Sequence, residues 1–280
     1  MFLSIVTPTY NEAENVKPFV LAIKKSLKNF KDYEIIFVDD NSLDKTYEVI
    51  KNLSKSHRNL RCLRRIGRRG LSSAVIEGCL SSSADLLLVM DADLQHDETK
   101  IMEMLKLQKK YDLDMVIGSR FLEKKYTSSF SKKRNMLSKF ANLLAAKISG
   151  VKLSDPMSGF FLIKRSIVEK QATHLTGLGF KILLDIFSSK KNHIKYKEIS
   201  FNFKSRKFGE SKLNTLVIWE YMLLLWESRF GRFIPARFVS FCAIGGTGVV
   251  SHLLVLYLLK SFDVSFILSQ SIATFSAMTG

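Results

Sequence analysis

Asp91 and Asp93 stand two residues apart, directly after the apolar run Ala84-Asp85-Leu86-Leu87-Leu88-Val89-Met90. Carboxylate oxygens are the hard donors that Mg²⁺ or Mn²⁺ prefers, and Mg²⁺ usually takes one or two of them and fills its shell with water and substrate phosphate. An acidic pair alone also occurs in ordinary solvated turns. Two further polar clusters end apolar runs in the same way: Thr7-Pro8-Thr9-Tyr10-Asn11-Glu12 after Leu3 to Val6, and Asp39-Asp40-Asn41-Ser42 after Glu34 to Val38. Three such clusters at strand ends point to a polar crevice able to take a metal and an anionic ligand.

The clusters need a scaffold. Leu3 to Pro8, Glu34 to Val38, Leu60 to Leu63, Leu86 to Met90 and Met115 to Arg120 read as strands. Asn15 to Leu27, Leu43 to Leu53 and Leu71 to Leu80 read as helices, the first with Val16, Phe19, Val20, Ile23 and Leu27 at helical spacing. Alternating strands and helices predict an α/β fold with a mostly parallel sheet covered on both faces. Ligands of such sheets bind beyond the carboxyl ends of the strands, so the three clusters are expected at one crevice. Lys132 to Lys147 reads as an amphipathic helix, with Met136, Leu137, Phe140, Leu143 and Leu144 apolar.

Of 280 residues, 46% are hydrophobic, which excludes a disordered chain. Forty-three Lys and Arg against twenty-six Asp and Glu give a net charge of +17, which attracts nucleic acid, a phosphorylated substrate or an anionic membrane face. The positives are not interleaved with a stacking platform of aromatics, which argues against nucleic acid. From Arg120 to Lys139 the cations Lys124, Lys125, Lys132, Lys133 and Arg134 face only Glu123. Cys62, Cys79 and Cys242 are odd in number and widely spaced, so they read as buried free thiols. The N-terminus has no basic region before its apolar run and meets Pro8 at once, unlike a signal peptide, so the first domain is expected to stay cytosolic.

Phe238 to Leu259 contains no Lys, Arg, Asp or Glu. At about 1.5 Å per residue such a helix crosses a roughly 30 Å hydrocarbon core. Arg229, Arg232 and Arg237 precede it and Lys260 follows, which predicts that the preceding domain lies on the cytoplasmic face. A second apolar stretch, Phe262 to Met278, is expected to fold back as a hairpin, and Leu213 to Trp226 to lie in the membrane interface. The expected division is a catalytic domain over 1–230 and a membrane region over 231–280. The abrupt end at Thr279-Gly280 predicts further membrane segments beyond this sequence.

Ser4-Ile5-Val6-Thr7-Pro8-Thr9-Tyr10-Asn11-Glu12, Val38-Asp39-Asp40-Asn41-Ser42 and Met90-Asp91-Ala92-Asp93-Leu94-Gln95-His96, in this order and spacing, resemble family-2 glycosyltransferases of the GT-A fold. Gly118-Ser119-Arg120-Phe121, Asp155-Pro156-Met157-Ser158-Gly159-Phe160, Gly179-Phe180-Lys181-Ile182-Leu183 and Arg206 to Leu213 narrow the resemblance to polyprenol-phosphate (dolichol-phosphate) mannosyltransferases. The tail from Arg237 is similar to the start of a GtrA-like membrane domain.

The resemblance implies that Pro8, Tyr10, Glu12, Val38, Asp39 and Asp40 line the nucleotide pocket. It implies that Asp91, Ala92, Asp93 and Gln95 adjoin the donor diphosphate, with Asp91, Asp93 and Gln95 around Mg²⁺ or Mn²⁺, and that Arg206 and Lys212 clamp that diphosphate. Arg120, Arg134 and Ser138 would hold the acceptor phosphate, and Asp91, Asp93, Arg120 and Arg134 would carry the catalysis. The implied reaction moves mannose from GDP-mannose to a polyprenyl or dolichyl phosphate in the membrane, with inversion. Transfer of glucose from UDP-glucose is the alternative, because the same motifs serve several donors. Oligomeric state is left open by the sequence.

Overall fold

The computed structural model describes residues 2–122, 153–175, 177, 182–188, 193–204, 223, 226, 230 and 233–279. The chain divides into two compact units, Met1–Ser228 and Arg229–Gly280.

The described part of the first unit is built on a seven-stranded sheet of order β3-β2-β1-β4-β6-β5-β7. Its strands are β1 (Leu3–Thr9), β2 (Tyr33–Asp39), β3 (Leu60–Arg64), β4 (Leu86–Val89), β5 (Met115–Ser119), β6 (Phe161–Lys164) and β7 (Tyr196–Ser200). Neighbours pair in parallel except at β6, which runs antiparallel to both β4 and β5. The sheet is thus mostly parallel, as expected. β5 does not simply extend it from β4, however, because the short apolar run Phe161-Leu162-Ile163 enters between them.

Side-chain alternation along the central strands feeds two cores. Leu3, Ile5, Ile35, Phe37, Leu86, Leu88, Val116 and Leu162 join one, with α1 (Ala13–Ser26), α2 (Thr46–Ser54) and α4 (Ile101–Tyr111). Val6, Ile36, Val38, Leu87, Val89, Ile117 and Phe161 join the other, with α3 (Leu71–Leu80), α5 (Arg165–Gln171) and α6 (Ile182–Ser188). Burial on both faces explains why these strands are continuous apolar runs.

Helix α2 starts at Thr46, three residues after the expected Leu43. Lys45 is left-handed, and the Asp44 carboxylate accepts from the Thr46 amide and hydroxyl and from the Ala13 amide, so this segment forms a cap. Burial pushes the Asp44 carboxyl up, but these hydrogen bonds outweigh it and leave its pKa below the ordinary value. Cys79 is buried and Cys62 half-buried, and burial pushes both thiols up to about 12. Cys242 departs from expectation: it is exposed, on an apolar helix whose surface is itself uncovered.

That helix, α7 (Ala236–Ser261), dominates the second unit. It has 26 residues and a mean hydropathy of 1.8 in its most apolar window, none of which is buried, and it is long and apolar enough to cross a membrane. After a turn in which the Val264 amide donates to the Leu259 carbonyl, α8 (Phe266–Thr279) folds back along it, bringing the Ala277 carbonyl near Gly248. This is the expected hairpin. The helix expected over Lys132 to Lys147 lies outside the described residues, as does most of the interfacial segment expected over 213–230.

Candidate functional site

The parallel register aligns Thr9 with Asp39 and Val6 with Val89, so Tyr10, Asp40 and the Asp91 loop all leave the sheet at one edge. The loops after β1 and β2 are clasped together. The Asn11 amide donates to Ser42 Oγ at 2.9 Å, the Leu43 amide to Asn11 Oδ1 at 3.0 Å, and the Glu12 amide to Thr46 Oγ1 at 3.0 Å. Asn11 and Asn41 both take left-handed backbone, with φ of 54°, a conformation that Asn tolerates better than most residues. Asp39 is fully buried and accepts from the Ser42 amide and hydroxyl. The Glu12 carboxylate accepts from Asn15 Nδ2 at 2.6 Å.

The expected nucleotide-side residues therefore share one edge, but they do not present themselves alike. Pro8, Val38 and Ala92 are buried, and the latter two belong to the cores, so their side chains serve packing. Tyr10 lies under the Arg69 guanidinium, 4.6 Å from the ring centre. Asp40 turns to Arg65, which donates to it at 2.6 Å.

The loop after β4 is drawn into a ring by His96. The Asp91 amide donates to His96 Nδ1 at 3.2 Å, and His96 Nε2 lies 3.9 Å from the Asp91 carboxylate. Leu94, at φ 62°, makes the required reversal. Asp93 is buried, and its Oδ1 accepts from the Gln95 amide. His96 stacks on Phe160 at 5.3 Å and meets the edges of Phe201 and Phe203. Burial pushes its pKa down to about 4, with Arg120 acting in the same direction, so the imidazole is neutral near pH 7. On the far side, the Lys204 amide donates to the Gln95 carbonyl and Gln95 Nε2 to the Lys204 carbonyl.

Arg120, one residue beyond β5, closes on Asp155. Its Nε donates to Oδ2 at 2.7 Å and its Nη2 to Oδ1 at 2.9 Å, and the Arg120 amide adds a third bond. Burial alone would lower the guanidinium's pKa; Asp155, with a further contribution from the Asp91 charge, reverses this and raises it. Asp91 and Arg120 thus act on each other electrostatically. The hydroxyl of Ser158 donates to the Gly118 carbonyl at 2.6 Å, which fastens the Asp155 turn to the end of β5.

The donor set fits a divalent metal. Asp91 retains 35% side-chain exposure, and Gly159 leaves room at it: a Cβ there would lie 3.2 Å from Asp91 Oδ2. Among the described residues no group of three His, Cys, Asp or Glu side chains converges on one point. Asp91 and Asp93 are hard carboxylate donors, and Mg²⁺ typically takes one or two such groups and completes its shell with water and phosphate.

Arg134, Ser138, Arg206 and Lys212 lie outside the described residues. Sequence reasoning gave no role to Asp155, Gly159 or His96, although all three lie in motifs it singled out, and it passed over Arg65 and Lys204.

The glycosyl transferase family 2 model matches residues 4–171. The dolichol-phosphate mannosyltransferase of Pyrococcus furiosus is 36% identical over 259 residues, covering 89% of this chain and 70% of that protein. The dolichol-phosphate mannosyltransferase of Saccharomyces cerevisiae is 32% identical, covering 86% and 93%. Among solved structures, glucosyl-3-phosphoglycerate synthase from Mycobacterium tuberculosis, in complex with Mn²⁺, UDP and glucosyl-3-phosphoglycerate, shares the fold with a TM-score of 0.58 at 15% identity, covering 81% of this chain and 79% of that one.

Proposed function

We propose, from the premise that the chain belongs to glycosyl transferase family 2 and has its GT-A fold, that this enzyme transfers mannose from GDP-mannose to a polyprenyl or dolichyl phosphate with inversion at the anomeric carbon. The observation that carries the reading is the meeting, at one sheet edge, of an acidic loop fit for a metal and an arginine fork coupled to it. It is supported by relatives named dolichol-phosphate mannosyltransferase that match most of the chain.

Tyr10, Glu12 and Asp39 are assigned to the nucleotide, since carboxylates accept from base N–H groups and ribose hydroxyls. Asp91 and Asp93, with Gln95, would hold Mg²⁺ or Mn²⁺; relatives of this fold include one crystallised with Mn²⁺. When bound there, the ion would supply positive charge that stabilises the donor diphosphate. Arg120 is assigned to the acceptor phosphate. Asp155 engages two of its side-chain N–H groups out of the five a guanidinium carries, leaving donors in a fixed plane. Arg134 and Ser138 are assigned to the same phosphate, and Arg206 and Lys212 to the donor diphosphate.

An acceptor phosphate oxygen attacks the anomeric carbon, and the bond from that carbon to the donor diphosphate breaks with its electron pair passing to the β-phosphate. A phosphate monoester is largely dianionic near neutral pH, its second pKa being about 6, so the nucleophile needs no separate base. Positioning and neutralisation of charge then account for the acceleration. His96, neutral and buried, holds the Asp91 amide and takes no part in proton transfer.

The apolar α7 would anchor the enzyme in the membrane that holds its acceptor, with the catalytic unit on the cytoplasmic face by the excess of Arg before the span. Membranes containing the chain, supplied with Mg²⁺ or Mn²⁺ and polyprenyl phosphate, should carry label from GDP-mannose into the organic phase. Label from UDP-glucose alone would overturn the choice of donor, and label from neither would overturn the reaction.

A further inference from the structure

We infer that Glu198, on β7, is a positioning residue for Arg120 and acts on it through the hydroxyls of Ser154 and Ser119. This rests on the acceptor-phosphate role assigned to Arg120 above. Parallel pairing sets Ile117 of β5 opposite Glu198 and Ser119 opposite Ser200. Tyr196 and Ile117 pack into the second of the two cores, so by alternation Glu198 and Ser119 lie on that same face of the sheet. Ser119 is fully buried there and Glu198 half-buried.

Both oxygens of Glu198 are turned to one residue. The Ser154 hydroxyl donates to Oε1 at 2.7 Å, and the Ser154 amide reaches Oε1 at 3.0 Å and Oε2 at 3.2 Å. Ser154 Oγ lies 2.6 Å from Ser119 Oγ, and Ser119 Oγ accepts from the Phe121 amide at 3.2 Å. A carboxylate can only accept, so the single hydroxyl proton of Ser154 is committed to Glu198. Ser119 must then donate to Ser154. The chain therefore has one direction, from the Phe121 amide through Ser119 and Ser154 to Glu198.

This chain brackets the Arg120–Asp155 pair. Ser119 and Phe121 flank Arg120, and Ser154 precedes Asp155, so the neighbours of both partners are fastened to one carboxylate. The segment after β7 adds a second hold, because the Arg120 guanidinium lies 5.3 Å from the centre of the Phe203 ring. The fork of Arg120 toward Asp155 is thus set by a strand that contributes no ligand of its own among the described residues. An acid turned inward on an edge strand also discourages pairing with another chain, but that role asks nothing of Ser154 or Ser119.

Glu198→Ala in the full chain, in detergent, tests this through kinetics and amide hydrogen exchange. The acceptor KM should rise about fivefold, with the donor KM within about twofold of the parent. Exchange at the Arg120 and Phe121 amides, which donate to Asp155 and Ser119, should quicken about tenfold. Glu198→Gln keeps one oxygen able to accept from the Ser154 amide and hydroxyl, so its acceptor KM should return to within about twofold of the parent. If Glu198→Ala fails to fold, Ser154→Ala, which removes the hydroxyl between Glu198 and Ser119, should raise the acceptor KM about threefold and quicken exchange at Phe121.

Parental acceptor KM and parental exchange at Arg120 and Phe121 in the folded variants overturn the inference. So does a rise in donor and acceptor KM together, which marks general damage to the fold, or a loss in Glu198→Gln equal to that in Glu198→Ala. A parent that transfers no mannose overturns the proposed reaction and leaves the hold of Glu198 on Arg120 to be decided by amide exchange alone.

Discussion

Arg120 and Asp155 form a bidentate ion pair across 35 residues of sequence, with the carboxylate fully buried and the guanidinium 22% exposed. The asymmetry of burial fixes what each partner does for the other. Arg120→Ala leaves a buried carboxylate without its counter-ion, which costs about 3 kcal/mol in comparable pairs. Chemical denaturation should show that loss. Asp155→Asn leaves Arg120 charged but without its plane, so its acceptor KM should rise about tenfold while the protein stays folded. An unchanged acceptor KM in folded Asp155→Asn would count against the acceptor role of Arg120.

Asp91 and Asp93 differ in burial, and their variants should differ accordingly. Asp91→Asn alters a carboxylate with 35% side-chain exposure, so stability should move by no more than about 0.5 kcal/mol. Transfer should fall at least about a hundredfold, the scale of losing a charge-stabilising group. Asp93 is buried and shapes the loop through the Gln95 amide, so Asp93→Ala should lose activity and about 1–3 kcal/mol of stability together. Full activity in Asp91→Asn would remove the acidic loop from the mechanism.

Gly159→Ala tests the space beside Asp91. Its Cβ would sit 3.2 Å from Asp91 Oδ2 and 3.6 Å from the His96 ring, tighter than most such contacts. The carboxylate must give way, so the divalent metal concentration for half-maximal activity should rise about tenfold. The stability cost should stay near about 1 kcal/mol, since the carboxylate can shift toward solvent. Parental metal dependence would show that Asp91 is not held where the metal needs it.

Much of this arrangement was legible in the sequence. β1, β2, β4 and β5 are buried on both faces and so appear as apolar runs, and the polar residues after them mark the ligand edge. β7 escaped because it is an edge strand, Tyr-Lys-Glu-Ile-Ser, with only Ile199 buried. The pairing of Arg120 with Asp155 depends on the turn before β6, and nothing local in either residue announces the other. Arg65 was invisible for another reason: arginine is read as surface, and only the fold shows that Asp40, Gly70, Ser73 and Glu77 converge on it.

His96 gives the fold a defined acid sensitivity. Burial lowers its pKa from 6.5 to about 4, so the unfolded chain binds a proton near pH 6.5 that the folded chain refuses until near pH 4. Between those values the unfolded state holds more protons, and stability rises with pH; the contribution is fully present above about 6.5 and is lost as pH falls toward 4. A difference of this size amounts to about 3 kcal/mol. Denaturant melts of metal-free protein from pH 7.5 to 4.5 should show that decline. His96→Asn keeps an acceptor for the Asp91 amide but does not titrate, so its stability, lower at pH 7.5 for lost packing against Phe160, should fall less steeply. Parallel pH slopes for the two proteins would show that acid acts on other groups and that His96 is not the neutral pin of the Asp91 loop.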